Sequence, residues 1–256
     1  MIIINKRVNL NPKVSIIIVT LNSEKYLEET FQSLINQSYK NFEVIVIDGK
    51  SSDKTLEITR KYKDLISYCI SEEDDGIYDA FNKGMNLSIG KFIGIVNSDD
   101  ILLPNALLLL DKYDKENPNI DFIFGSVKKH WGVLYGYKPH KIHYSWGFYS
   151  SHSTGFYIKK KSAEKIGKYN TKYTYHADYD YFYRMIVHHK MQGIGTKKDE
   201  LFGIFRRGGF SSRSSIRSKF LEEIKIRIDN KQNIFLISII FIYKFIKNFK
   251  SIIISK

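Results

Sequence analysis

The chain has 256 residues, with 40 Lys+Arg against 27 Asp+Glu and a formal net charge of +13, which fits one large domain or one domain with extensions and points to an anionic partner. At 43% hydrophobic residues it is too apolar for disorder, yet no stretch reaches the roughly 18 uninterrupted apolar residues of a conventional spanning helix. A single cysteine, Cys69, excludes an intrachain disulfide and a cysteine-only metal site.

In chain order, the opening MIIINKRVNLNPK places its charge after a very short apolar run, the reverse of a signal peptide, so a cytoplasmic protein is expected. Residues 14–19 are a near-continuous β-branched run, the pattern of a strand buried on both faces. Asn22 and Ser23 are cap-type residues before Leu27, Phe31, Leu34 and Ile35 at helical spacing. Residues 42–47 read as a second strand, and Ser51, Ser52 and Asp53 offer caps for a helix ending near Tyr62. A short strand at 67–70, a helix from Asp79 to Ser88 and a strand at 91–96 follow. This alternation predicts βαβ units and a parallel sheet.

After Pro104 a helix runs to about Lys115, then a strand at 121–125. Residues 127–155, rich in Tyr, His, Trp and Gly, read as a β-hairpin plus loop, and a helix opens at Asp178. Positive charge gathers in the last third, from Lys197 through Arg206, Arg207, Arg213 and Arg217 to Lys219, and no acidic residue follows Asp229. The apolar stretch 234–243, followed by Lys244, Lys247 and Lys250, reads as an interfacial amphipathic helix, basic on one side.

Ligands of open parallel sheets bind at the carboxyl ends of the strands. Three of the four expected ends here carry acids: Asp48 after the second strand, Glu72-Glu73-Asp74-Asp75 after the third, Asp99-Asp100 after the fourth. Such a cluster in a basic protein suits a cation or hydrogen-bond donors such as sugar and base groups. No GxGxxG follows the first strand and no GxxxxGK[ST] occurs, so neither a dinucleotide site nor a Walker loop is supported. Phosphate bound here would need Mg²⁺ or Mn²⁺ held by one or two carboxylates.

VSIIIVTLNSEKYLEETFQSLINQSYKNFEVIVIDGKSSDKT and DDGIYDAFNKGMNLSIGKFIGIVNSDD resemble glycosyltransferase family 2, and most of all its bacterial branch that builds capsule, exopolysaccharide or lipopolysaccharide. The resemblance is detailed over about the first 105 residues and looser to Gly209. It implies a GT-A fold, an α/β Rossmann-like, mostly parallel sheet flanked by helices. It also implies inverting, metal-dependent transfer of a sugar from a nucleotide-diphosphate donor, by family habit a UDP-sugar, to a glycan acceptor carried on lipid. Thr20 and Asn22 match positions around the nucleotide, Asp48 the acid that contacts the base, and Asp75, Asn82 and Lys83 the donor-pocket motif. Asp99 matches the metal-binding acid of the family's Asp-x-Asp motif, whose first position is Asn97 here, a residue able to hydrogen-bond sugar or ribose. In the later acidic pair Asp178 matches the general base and Ala177 replaces the other acid, with Asp180 two residues on. His152, in a segment resembling the acceptor-side strand, and Arg207, in a glycine-bearing loop resembling one that closes over the donor, complete the candidate substrate contacts.

Other readings stay open on the residues alone. Asp178 is also a favoured helix cap, and Asp48 before Gly49 is also turn chemistry. A catalytically degraded nucleotide-sugar-binding protein would explain Asn97 and Ala177. A nucleic-acid-binding protein would explain the charge and aromatics but not acids at three strand ends. The expected organisation is a GT-A domain over 12–210, its nucleotide-sugar half at 12–105 and acceptor half at 106–210, with a basic amphipathic tail over 211–256. The expected location is the cytoplasm, peripheral on the inner membrane face through contact with anionic lipid, and no nucleic-acid partner is expected.

Overall fold

The structure, a computed structural model, describes residues 2–6, 11–144, 153–206 and 215–254. Its centre is strand β2 (Val14–Thr20), buried along its whole length. The side chains of Ile17 and Val19 enter one core and those of Val14, Ile16 and Ile18 the other. Strand β3 (Phe42–Asp48) divides the same way, Ile45 and Ile47 against Val44 and Val46. The period of two is present but hidden in the sequence, because both faces are core.

Among the described residues the main sheet has eight strands. β2 pairs in parallel with β3 on one side and β5 (Phe92–Ile95) on the other, and β3 pairs in parallel with β4 (Tyr68–Ser71). Beyond β5 come β10 (Phe156–Lys159), antiparallel, then β7 (Phe122–Phe124) and β11 (Gly193–Gly195). The opposite edge is β1 (Ile2–Asn5), antiparallel to β4, a strand that the opening apolar run does not reveal. The chain thus winds from β2 out to β4 and returns to β5, and the reversal opens a crevice at the carboxyl ends of β2, β3 and β5.

Helices α1 (Leu27–Ile35), α2 (Thr55–Lys61), α3 (Ile77–Leu87) and α4 (Ala106–Glu116) cross between strands. α1 begins five residues after Asn22, which takes a left-handed φ of +48° and belongs to the strand-end loop instead of a cap. α3 lies close over β2 because Gly84 has no side chain: a Cβ there would stand 2.4 Å from Ile17 Cγ2.

A second sheet orders β6 (Ile101–Leu102), β12 (Leu201–Ile204), β8 (Ser126–Lys129) and β9 (Gly132–Leu134), with β8 and β9 forming the expected hairpin. Of the segment 151–156, read as an acceptor-side strand, the described residues are 153–156, and among them only Phe156 is in a strand. Helix α5 (Lys160–Ile166) leads to α6 (Ala177–Tyr183), which continues as a π turn, Arg184–His188.

Within the stretch read as a tail stand two helices, α7 (Ile216–Asp229) and α8 (Ile234–Ile254). α7 is part of the packed body. Arg227 is fully buried, donating to Glu223, to the Gln232 side chain and to the His143 carbonyl. Asn230 Nδ2 donates to Asp180 Oδ1 at 2.8 Å. Among the described residues no helix is long and apolar enough to cross a membrane.

Candidate active site

The loops at the carboxyl ends of β2, β3 and β4 are knitted by Asp48. Its carboxylate, with no exposed surface, accepts from Thr20 Oγ1 (2.9 Å), Ser51 Oγ (2.6 Å), Ser51 N (3.0 Å) and Ser71 Oγ (2.7 Å). Asp48 therefore frames the crevice from below, and Thr20 is engaged with it. Asn22 closes the same loop: its N–H donates to Ser51 Oγ and its Oδ1 accepts from Ser52 N, both at 2.9 Å. Ser23 Oγ accepts from Ser98 Oγ at 2.8 Å, tying this loop to the turn after β5.

That turn, residues 97–100, is held from three sides. Thr30 Oγ1 of α1 donates to the carbonyls of Ser98 and Asp100. Ser153 Oγ accepts from Asn97 N and donates to Asp100 Oδ2. Arg206 N, just past β12, donates to Asp100 Oδ1 at 3.1 Å. Asp100 is the buried anchor of the turn, and burial, reinforced by the charge of Asp99, pushes its carboxyl up to about 7. Asp99 is the presented acid: half-buried, with no side-chain donor among the described residues, and held above the ordinary carboxyl range by burial against the pull of Arg206. Beside it Asn97 Oδ1 is buried with no hydrogen-bond partner among the described residues.

The motif on α3 divides into framework and rim. Asn82 is 5% exposed and clasps the backbone of Tyr169, Nδ2 to its carbonyl at 2.9 Å and Oδ1 from its N–H at 2.8 Å, so its side chain is engaged away from the crevice. Lys83 sits in a cage of Glu72 and Asp79, each at 3.1 Å, and donates to the Glu73 carbonyl. Burial works against its charge, but these carboxylates outweigh it and hold the ammonium above its ordinary value. Asp75 is exposed on the loop, and its N–H donates to Asp79 Oδ2 at 3.3 Å. Its neighbour Asp74, which the motif does not single out, is the acid turned toward the strand ends. A Cβ on Gly49 would stand 2.6 Å from Asp74 Oδ2, so glycine in the IDGK run is what admits this carboxyl.

Asp178 occupies the first turn of α6 and is half-buried. Its Oδ1 accepts from the Tyr78 hydroxyl at 3.4 Å and from Tyr179 N at 2.9 Å. Tyr78 is the second residue of α3, so it joins the α3 motif to the acid on α6. Asp180 is 4% exposed and bonded to Arg184 and Asn230, which makes it a brace. Ala177, in place of the other acid, is fully buried. His152 and Arg207 lie outside the described residues. Arg206 is turned to Glu29 and stacks over Tyr26.

The structure therefore brings Thr20, Asn22, Asp48, Asn97 and Asp99 together at one set of strand ends, with Lys83 and Asp75 on the α3 rim and Asn82 in the framework. Asp178 is joined to the α3 rim through the Tyr78 hydroxyl. Sequence reasoning misses Lys129, Ser153 and Glu222 as site residues. Lys129 carries no motif, Ser153 lies in the segment resembling the acceptor-side strand without being singled out there, and Glu222 falls in the stretch read as a tail.

A divalent cation fits the donor set. Asp99 and the Asn97 amide oxygen would offer hard oxygen donors, and among the described residues no cluster of three or more His, Cys, Asp or Glu could hold an ion alone. A site with so few protein ligands relies on substrate oxygens and water for the rest, as Mg²⁺-type sites do. A groove of about 570 Å³ beside α6 is a poorer candidate, because two of its cations and both of its acids are already paired, Arg184 with Asp180 and Lys172 with Asp229.

This crevice, on this sheet, defines the GT-A class of nucleotide-sugar transferase folds. The family model "Glycosyl transferase family 2" matches residues 15–190, and the chain belongs to that family. An uncharacterized glycosyltransferase of Methanocaldococcus jannaschii is 33% identical over 190 residues, covering 69% of this chain and 65% of its own. The poly(ribitol-phosphate) beta-N-acetylglucosaminyltransferase TarP of Staphylococcus aureus is 36% identical over 118 residues, 44% of this chain and 36% of its own. The fold is shared with S. aureus TarS residues 1–349 in complex with UDP-GlcNAc (TM-score 0.66, 18% identity, 85% of this chain and 66% of that one). It is also shared with the mannosyltransferase PcManGT of Pyrobaculum calidifontis in complex with GDP-Man and Mn²⁺ (TM-score 0.61, 17% identity, 90% and 66%). The chain spans 65% or less of the first curated relatives it matches.

Proposed function

We propose that the chain transfers one sugar, with inversion, from a nucleotide-diphosphate donor to a glycan acceptor. The observation that carries this reading is the β5 turn. A presented carboxylate, Asp99, and an orphaned buried amide oxygen, Asn97 Oδ1, stand at the switch point of the sheet, and Asp178 is tied to the α3 rim through Tyr78. Asp178 takes the acceptor hydroxyl proton; the new C–O bond forms at the anomeric carbon as the bond to the diphosphate breaks on the opposite side. General-base assistance of this kind contributes about 10²–10⁴-fold. Mn²⁺ or Mg²⁺, when bound at Asp99 with help from Asn97, supplies charge neutralisation at the departing diphosphate. The fold neighbours bind UDP-GlcNAc and GDP-Man, which supports a nucleotide-sugar donor and leaves UDP as the first nucleotide to test. The acceptor is lipid-linked in this reading, and the protein meets the cytoplasmic membrane face through α8.

The test is calorimetric titration of UDP, dTDP and GDP, with and without Mn²⁺, into wild type, Asp99→Ala and Asp178→Asn. UDP binding that requires Mn²⁺, is lost in Asp99→Ala and is kept in Asp178→Asn is the expected result. No nucleotide binding to folded wild type would overturn the donor reading. The neutral Asn97 and buried Ala177 favour one rival, a donor-binding protein without transfer. It predicts UDP binding with no release of UDP from a UDP-sugar in any acceptor mixture.

A further inference from the structure

Most cations around the strand ends are already paired with this chain's own carboxylates. Lys50 pairs with Glu73 at 2.8 Å, Lys83 with Glu72 and Asp79, and Arg206 with Glu29. Lys129 is different. It ends β8, where the adjacent carbonyl of Lys128 accepts from Phe205 N at 2.9 Å, so β8 and the residues past β12 are in register. Its half-buried ammonium lies 4.2 Å from the centroid of the Phe205 ring, and among the described residues it forms no ion pair and no hydrogen bond. The next residue, Arg206, is fastened to Asp100, so the Phe205 platform is fixed relative to the metal-side turn.

Burial holds the ammonium below the ordinary lysine range, against the attraction of Asp100 and Asp178. A charged group held half out of water on an aromatic face, one residue from the Arg206 bond to Asp100, is poised for an anionic oxygen that arrives with a ligand. We propose that Lys129 binds a phosphate oxygen of the substrate in the cleft between the Asp100 turn and Asp178. The phosphate belongs either to the donor diphosphate or to a phosphate-bearing acceptor. This inference rests on the transferase reading above and adds to it a residue that no motif marks.

Calorimetry on wild type, Lys129→Met and Lys129→Arg decides it. Methionine keeps the apolar stem on Phe205 and removes the charge; arginine restores the charge. UDP and uridine are titrated with Mn²⁺, and inorganic phosphate is then titrated into the UDP-saturated proteins. A tenfold or greater loss of UDP affinity in Lys129→Met, with uridine unchanged and Lys129→Arg near wild type, assigns Lys129 to the donor diphosphate. Unchanged UDP affinity with loss of phosphate binding assigns it to an acceptor phosphate. Equal affinities of wild type and Lys129→Met in both arms, in variants with the same melting temperature, overturn the proposal. Wild type that binds no UDP sinks the donor reading instead, and inorganic phosphate titrated into the nucleotide-free proteins then decides Lys129.

Discussion

Asp48, the acid that the resemblance places at the base, is tied by its carboxylate into the loops of this chain. Its four donors come from three segments, and three of them are hydroxyls that can reverse while the Ser51 N–H cannot. Asp48→Asn places an amide against this set and leaves the loop ends of β2, β3 and β4 imperfectly satisfied. The expected cost is about 2 kcal/mol, within the range for an unsatisfied buried polar group. For a domain of this size that is a fall in Tm of roughly 4–8 °C. Thermal unfolding followed by circular dichroism checks it. An unchanged Tm with lost UDP affinity would show instead that Asp48 meets the nucleotide directly.

Elements are legible where burial follows a simple period. β2 and β3 are β-branched runs with core on both sides, and α3 and α6 begin within two residues of where their patterns place them. α7 is not legible, because its inward face carries Glu223 and Arg227 beside Phe220 and Ile226, so no apolar stripe marks it. The same helix supplies Glu222, whose carboxylate accepts from the backbone N–H groups of Thr174 (2.7 Å), Tyr175 (2.7 Å) and His176 (2.8 Å). These residues lead directly into the first turn of α6 and Asp178. Charge-assisted bonds of this kind fix the segment strongly. Glu222→Ala is expected to lower kcat about tenfold or more, the scale of about 1.4 kcal/mol of lost positioning. UDP affinity should stay within about twofold, because the donor loops lie on other elements. Glu222→Gln, which keeps one acceptor oxygen, is expected between wild type and Glu222→Ala. Steady-state kinetics with a UDP-sugar, beside UDP calorimetry, separate this from a general loss of structure; equal loss of donor affinity and kcat would refute a positioning role.

At the scale of the molecule, α8 has two apolar faces, which is why residues 234–243 read as almost continuously apolar. One face packs inward through Ile237 and Ile240, with Phe241 against Phe220 and Lys244 bound to Glu223. The other presents Phe235, Ile239, Ile242 and Ile246, at 77%, 64%, 56% and 69% exposure, on an i, i+4, i+7, i+11 stripe. No acidic residue follows Asp229 in the sequence, so the stripe sits in a wholly basic stretch. An anionic lipid surface matches both features. Each large apolar side chain buried contributes about 1.5–3 kcal/mol, against about 1 kcal/mol per lysine near such a surface, so the apolar contribution dominates. Salt should therefore weaken binding to phosphatidylglycerol-containing vesicles without abolishing it. Phe235→Ser with Ile242→Ser, both exposed and clear of the α7 contact, should release the protein in a flotation assay at unchanged Tm. Continued flotation of this double variant would remove α8 from the membrane contact. A change from dimer to monomer on size exclusion, with vesicle binding intact, would show that a second copy covers the stripe.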